Sequence, residues 1–156
     1  MSQKTNMINA DLIIPSLPAT SKKQAFRALA EATVGLFPGD PEKVFTALMD
    51  RERIGSTGIG CGVAIPHIKL GHVDRLYGVL ARLEKPVDYD AVDGEAVDLI
   101  FMLVAPAENK TTQHLKMLAH VSRFLKDDET CQRLRACNQR DAIETLLNEW
   151  LKEQAA

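Results

Sequence analysis

Aromatic residues are scarce in this sequence, 5% of it with a single tryptophan, and lysine and arginine gather in no block. A nucleic-acid surface needs stacking platforms and a basic stripe, so that class is excluded. The charge balance agrees, with 19 basic against 21 acidic side chains and a net charge of -2. Cysteine is also rare. Cys61, Cys131 and Cys137 are odd in number and lack CxxC spacing, which excludes a disulfide framework and a dithiol redox motif and predicts reduced thiols. No apolar run approaches the roughly 20 residues that span a bilayer, and the first residues lack the basic, apolar and small-residue progression of a secretory signal. A cytoplasmic protein with no membrane insertion is expected. Asn109-Lys110-Thr111 matches a glycosylation acceptor, but without export the match has no consequence.

What is present is enough to fold. Over 156 residues, 46% hydrophobic side chains can bury one core without staples. Asn9 to Pro18 reads as a short apolar opening segment broken by Pro15 and Pro18, and Thr20 or Ser21 is the expected N-cap of a helix over Lys22 to Leu36. Pro38-Gly39-Asp40-Pro41 makes a turn, and the apolar spacing of Val44, Leu48 and Phe45 or Met49 predicts a helix from Glu42 to Arg51. Four glycines then punctuate a loop from Gly55 to Gly62, and Val63-Ala64-Ile65 reads as a buried strand stopped by Pro66. Leu76 to Leu83 and Val97 to Ala105 are the best strands, the second nearly all apolar in the manner of a strand covered on both faces. Thr111 or Thr112 can cap a helix running to about Leu125, and two more are expected near Glu129 to Ala136 and Asp141 to Lys152. Strands and helices interleave without repeat or linker, so the class is α/β in one domain.

The glycine-rich loop invites a nucleotide reading, which fails. Gly55 and Gly60 have P-loop spacing, but Cys61 and Gly62 stand where Lys and Ser or Thr must reach phosphate and magnesium. The dinucleotide fingerprint needs a strand before the glycines and a helix after them, the reverse of the order here. The loop does deliver a histidine rigidly, because Pro66 fixes its own φ and drives Ile65 into an extended conformation, aiming His67 toward a sheet edge. An imidazole with the ordinary pKa of about 6.5 is neutral near pH 7 and can attack phosphorus directly. A transferring phosphoryl group needs donors around its equatorial oxygens but no metal. Arg51 offers a planar fork, Ser56 and Thr57 offer hydroxyls, and the loop amides at Gly58 and its neighbours can approach closely for lack of a Cβ.

A second histidine joins this set. At 3.6 residues per turn His114 shares a stripe with Leu118, Val121 and Leu125. A histidine on such a stripe is often a satisfied core residue, but this one sits near a helix N-terminus, where free N–H groups and the dipole favour an anion. His120 lies roughly 120° around the same helix and cannot reach the same site, while Lys116 and Arg123 take the solvated face.

Gly55-Ser56-Thr57-Gly58-Ile59-Gly60 followed by Val63-Ala64-Ile65-Pro66-His67 resembles the IIA domains of the fructose and mannitol class of the bacterial phosphoenolpyruvate-dependent phosphotransferase system, nearest to the nitrogen-regulatory branch. Thr20 to Ala25, Arg51-Glu52 and His114-Leu115 extend the likeness over roughly residues 10–152. The resemblance implies a mixed β-sheet flanked by helices on both faces. It implies that His67 accepts phosphate from a phosphohistidine carrier of the HPr kind, that His114 assists at the phosphoryl group, and that Arg51 binds it, with Ser56, Thr57 and Gly58 supporting from the loop. No cofactor is implied, and the chain would be a phosphocarrier and not a self-sufficient catalyst. Ile68 stands where the family usually has glycine, which alters the local turn or partner surface but removes no chemical group.

Two roles follow from the resemblance. A regulatory protein would change its affinity for target proteins when His67 is charged; a sugar-transport IIA would pass phosphate to a IIB subunit. From another class, His67, His72, His114 and Cys61 are the residue types of a zinc site, but their spacing fits no ligand pattern.

Overall fold

The computed structural model describes residues 8–108 and 112–155. Two long strands form its spine, β5 (Tyr77–Val87) and β6 (Val97–Pro106), paired antiparallel. β1 (Leu12–Leu17) lies parallel to β5. On the other side, β3 (Val63–Ala64) and β4 (His67–Leu70) both run parallel to β6, and β2 (Gly58–Gly60) pairs antiparallel with β3. The sheet is mixed, in the order β1-β5-β6-β3-β2 with β4 also on β6.

Successive side chains of a strand face opposite ways, and the two buried clusters follow that alternation. On β6, Ile100, Met102 and Val104 pack under α1 (Lys22–Ala32) and α2 (Pro41–Ile54) with Phe26, Leu29 and Leu48. Leu99, Phe101 and Leu103 pack under α3 (Gln113–Lys126), α4 (Asp128–Ala136) and α5 (Arg140–Ala155) with Val121, Phe124 and Trp150. Helices on both faces are therefore what the sheet's two apolar sides require.

Several boundaries differ from the sequence expectation. The opening segment is the strand β1 despite its prolines, because as an edge strand it pairs on one side only, and its register slips between Ile14 and Leu17, around Pro15. Ser21 is the N-cap of α1, its Oγ accepting from the Gln24 N–H at 3.1 Å. That helix ends at Ala32 and passes into a 3₁₀ turn, Thr33–Gly35. α2 continues a turn beyond Glu42–Arg51, to Ile54. β5 extends past Leu83 to Val87. The glycine loop is not all loop, since Gly58–Gly60 pairs with β3 across a tight turn in which Cys61 itself takes a positive φ of 58°. There the Cys61 N–H donates to Asp93 and its carbonyl accepts from Arg135 at 2.7 Å. Thr112 is the N-cap of α3 but makes no side-chain cap bond. Thr111, the alternative cap, and Asn109-Lys110-Thr111 lie outside the described residues.

Candidate functional site

Strand β4 is an edge of the sheet, and the two helical layers meet beside it. Its alternation puts Ile68 and Leu70 into the core under α1 and α2, so His67 and Lys69 share the opposite face. Pro66 interrupts the ladder between β3 and β4 because it has no N–H, yet its carbonyl still accepts from the Leu103 N–H at 2.9 Å. His67 is thereby held at the first position of β4, opposite Leu103.

A cleft of about 580 Å³ opens here. α2 contributes Arg51 and Ile54, β4 contributes His67 and Lys69, and α3 contributes His114 and Leu115. The three residues expected to handle a phosphoryl group, His67, Arg51 and His114, thus line one cavity from three separate elements. His67 is half-buried, and its Nδ1 lies 3.2 Å from the Ile65 carbonyl oxygen. A carbonyl only accepts, so Nδ1 carries the hydrogen, and in the neutral ring Nε2 is left with its lone pair. Arg51 donates through Nη1 to the Gly55 carbonyl at 2.9 Å, which leaves further guanidinium N–H groups available.

His114 is half-buried on the first turn of α3. Its pKa is lowered from the ordinary 6.5, first by burial and then by the charges of Lys69 and His67. It is therefore neutral at pH 7 and presents one ring N–H and one lone pair. Its helix neighbours Val121 and Leu125 are core residues, while Leu118 is half-buried and lines the cleft with it. His120 does not join the cleft and contacts Arg123, at 3.2 Å.

Ser56, Thr57 and Gly58 do not line this cleft. The Ser56 hydroxyl accepts from the Gly58 N–H within the turn, at 3.1 Å. Gly58 packs so tightly that a Cβ there would come 2.7 Å from the Cβ of Ala91. Thr57 is 5% exposed, its hydroxyl turned inward to Glu52 and Tyr89. Of the set expected from the loop, the hydroxyls hold the loop together and do not open toward His67.

Lys69 was not singled out from the sequence. Two residues after His67, it would have been found by treating His67 to Leu70 as a strand, since period two puts both on one face. Ile68, in place of the usual glycine, is 6% exposed, continuing β4 inward. His72 lies elsewhere, near the Phe37 ring and with its Nε2 against Gly39. Among the described residues, no group of three or more His, Cys, Asp or Glu side chains is placed to hold a metal. No helix among them is long and apolar enough to cross a membrane.

A family model described as phosphoenolpyruvate-dependent sugar phosphotransferase system, EIIA 2, matches residues 6–150. A nitrogen regulatory protein of Bradyrhizobium diazoefficiens is 41% identical over 143 residues, covering 92% of this chain and 93% of that one. A nitrogen regulatory protein of Klebsiella oxytoca is 37% identical over 148 residues, covering 94% and 91%. The crystal structure of the nitrogen regulatory protein IIA-Ntr from Neisseria meningitidis superposes with a TM-score of 0.80 at 31% identity, over 88% of this chain and 92% of that one.

Proposed function

The chain belongs to the EIIA 2 family of the phosphoenolpyruvate-dependent sugar phosphotransferase system, and from that premise we propose that it is a nitrogen-regulatory IIA protein of the cytoplasm in which Nε2 of His67 is the phosphoryl acceptor. The observation that carries this reading is the Nδ1–H of His67 donating to the Ile65 carbonyl at 3.2 Å, inside a cleft that also holds Arg51 and His114.

The donor is a phosphohistidine carrier protein of the HPr kind. Its phosphorus–nitrogen bond breaks as the Nε2 lone pair of His67 attacks in line, and the donor imidazole recovers the electron pair. In the neutral ring no proton has to move before attack, because Nδ1 holds the hydrogen and Nε2 the lone pair. The positive charge that develops on the His67 ring is shared with the Ile65 carbonyl through Nδ1–H. Charge on the equatorial oxygens is met by the Arg51 fork, by Lys69 and by a ring N–H of the neutral His114. Phosphorylation leaves roughly two negative charges in the cleft, beside the exposed apolar side chains Ile54 and Leu115. A target protein docked on that rim reads the difference, which makes the charge state of His67 a regulatory signal.

The reading is tested by incubating the protein with phosphoenolpyruvate, enzyme I and the carrier protein. An acid-labile, base-stable adduct is expected, with phosphorus on Nε2 by nitrogen and phosphorus NMR and none in His67→Ala. Wild-type protein that takes no label overturns the assignment. The family's description favours a second reading, transport, in which phosphate passes onward to a IIB cysteine; rapid discharge by a purified IIB subunit would select it over regulation.

A further inference from the structure

A buried carboxylate sits one residue beyond Arg51. The Glu52 side chain is 5% exposed. Its Oε2 accepts from the Thr57 backbone N–H at 3.1 Å and from Lys22 Nζ at 3.3 Å, and its Oε1 accepts from the Thr57 hydroxyl at 2.7 Å. Because the Thr57 hydrogen is given to Glu52, the 2.8 Å contact between the Thr57 and Tyr89 hydroxyls has Tyr89 as its donor. Burial pushes the Tyr89 phenol far above its ordinary pKa, so that hydrogen stays in place. Lys22 also stands 4.9 Å from the Tyr89 ring centre, closing the cluster.

From Thr57, two backbone paths lead to the site. Along one, the Thr57 carbonyl accepts from the Ile65 N–H at 3.0 Å, and the Ile65 carbonyl in turn holds Nδ1–H of His67. Along the other, Gly55, two residues before Thr57, offers the carbonyl that holds Arg51. A buried ion pair adds little net stability over an apolar replacement. Its directional bonds, however, specify one arrangement of the loop where packing alone would allow several.

We propose that Glu52, acting through Thr57, is a positioning residue for phosphoryl transfer at His67. It touches no reacting atom; it fixes the loop that sets both the tautomer of His67 and the orientation of Arg51. The claim rests on the reading of His67 as acceptor.

The experiment compares Glu52→Gln, Thr57→Val and Thr57→Ser. Thr57→Val keeps the shape and removes both hydroxyl bonds. Transfer from the carrier protein, measured over a range of donor concentrations, is expected to slow by roughly ten- to a hundredfold at saturation in Thr57→Val and Glu52→Gln. The half-saturating donor concentration should not move, since the docking rim is untouched, and Thr57→Ser should stay within about threefold of wild type on the same reasoning. In the same proteins without donor, ring nitrogen shifts should report the Nδ1–H tautomer of His67 in wild type and Thr57→Ser, and a mixture in the other two. Wild-type maximal rates in Thr57→Val and Glu52→Gln overturn the proposal, as does a tautomer that never changes. Should Thr57→Val fail to fold, Thr57→Ala removes the same two hydroxyl bonds without a second methyl group in the buried site, and a wild-type rate there also overturns it. If wild-type protein accepts no phosphoryl group, the acceptor reading fails, and the tautomer ratio, which needs no donor, still decides whether the clamp orients His67.

Discussion

The two helical layers are built differently, and the cleft lies where they meet. α1 and α2 begin on capping side chains, Ser21 accepting from the Gln24 N–H at 3.1 Å and Asp40 from the Glu42 N–H at 2.9 Å. α3 and α4 begin at Thr112 and Asp127 without such a bond; the Asp127 carboxylate accepts from the Thr130 hydroxyl instead, at 2.7 Å. The first layer also encloses the Glu52–Thr57–Tyr89 cluster, whereas the second rests on apolar packing around Phe124 and Trp150, their rings 5.1 Å apart. Directional bonds weigh more on one side; on the other volume dominates, beside the bonds of Arg135 on α4 to Asp98 and the Cys61 carbonyl. Arg51 comes from the side held by bonds, His114 from the side held by packing.

The comparison breaks most visibly if the second layer does not depend on packing. Phe124→Ala is expected to cost about 3–5 kcal/mol of unfolding free energy by denaturant titration, since Phe124 is fully buried and the cavity cannot refill. A loss below about 1.5 kcal/mol would mean that polar bonds carry this layer too.

The next effect is on the reaction. Arg51→Ala and His114→Ala are each expected to fold normally and to slow phosphoryl transfer by about a hundredfold, the usual loss for one donor aimed at developing charge. The layers then separate. Arg51→Lys should not rescue, because a point charge cannot hold the Gly55 carbonyl and the phosphoryl oxygens at once. His114→Asn, which keeps an N–H donor, should recover part of the rate. Full activity in Arg51→Lys would reduce Arg51 to a charge and remove the geometric half of the contrast.

Smaller still are the caps. Ser21→Ala is expected to lower stability by about 1 kcal/mol, and Thr112→Ala by less than about 0.5 kcal/mol, measured by thermal or denaturant unfolding. Thr112 has ψ near 19°, outside the extended conformation of a capping residue, so its hydroxyl has no cap bond to lose. Equal losses would show that the two layers start their helices alike.

The same contrast explains what could be read from the sequence. β6 was legible because an unbroken apolar run from Leu99 to Pro106 reads as a strand covered on both faces. The helices of both layers were legible from period and punctuation. β1 was not, since Pro15 and Pro18 speak against a strand unless it is known to be an edge. β2 is three residues long with glycine at both ends and exists only through its pairing with β3. His67, Arg51 and His114 were singled out by motif and by resemblance, and they share one cleft. The inward turn of Thr57 was hidden, because its partner Tyr89 is 32 residues away in the chain. No local pattern announces a bond of that span.

The smallest expected effect is on pH dependence, and it reaches the side held by packing. In the folded protein the pKa of His114 is lowered from 6.5 by burial and then by Lys69 and His67, so below about that pH the unfolded chain binds the proton more readily than the folded one. Stability tied to His114 is therefore present above 6.5 and is lost as pH falls through its folded value. His114→Asn should flatten that part of the stability curve, only slightly, because the ring is partly exposed. Phosphorylation reverses the direction. A phosphoryl group on His67 places negative charge beside His114, and the His114 midpoint, followed by its ring proton shift, should rise above its value in the unphosphorylated protein. A midpoint that stays or falls would mean that α3 does not bring His114 to the phosphoryl oxygens, and that the layer held mainly by packing takes no part in stabilising the transferred group.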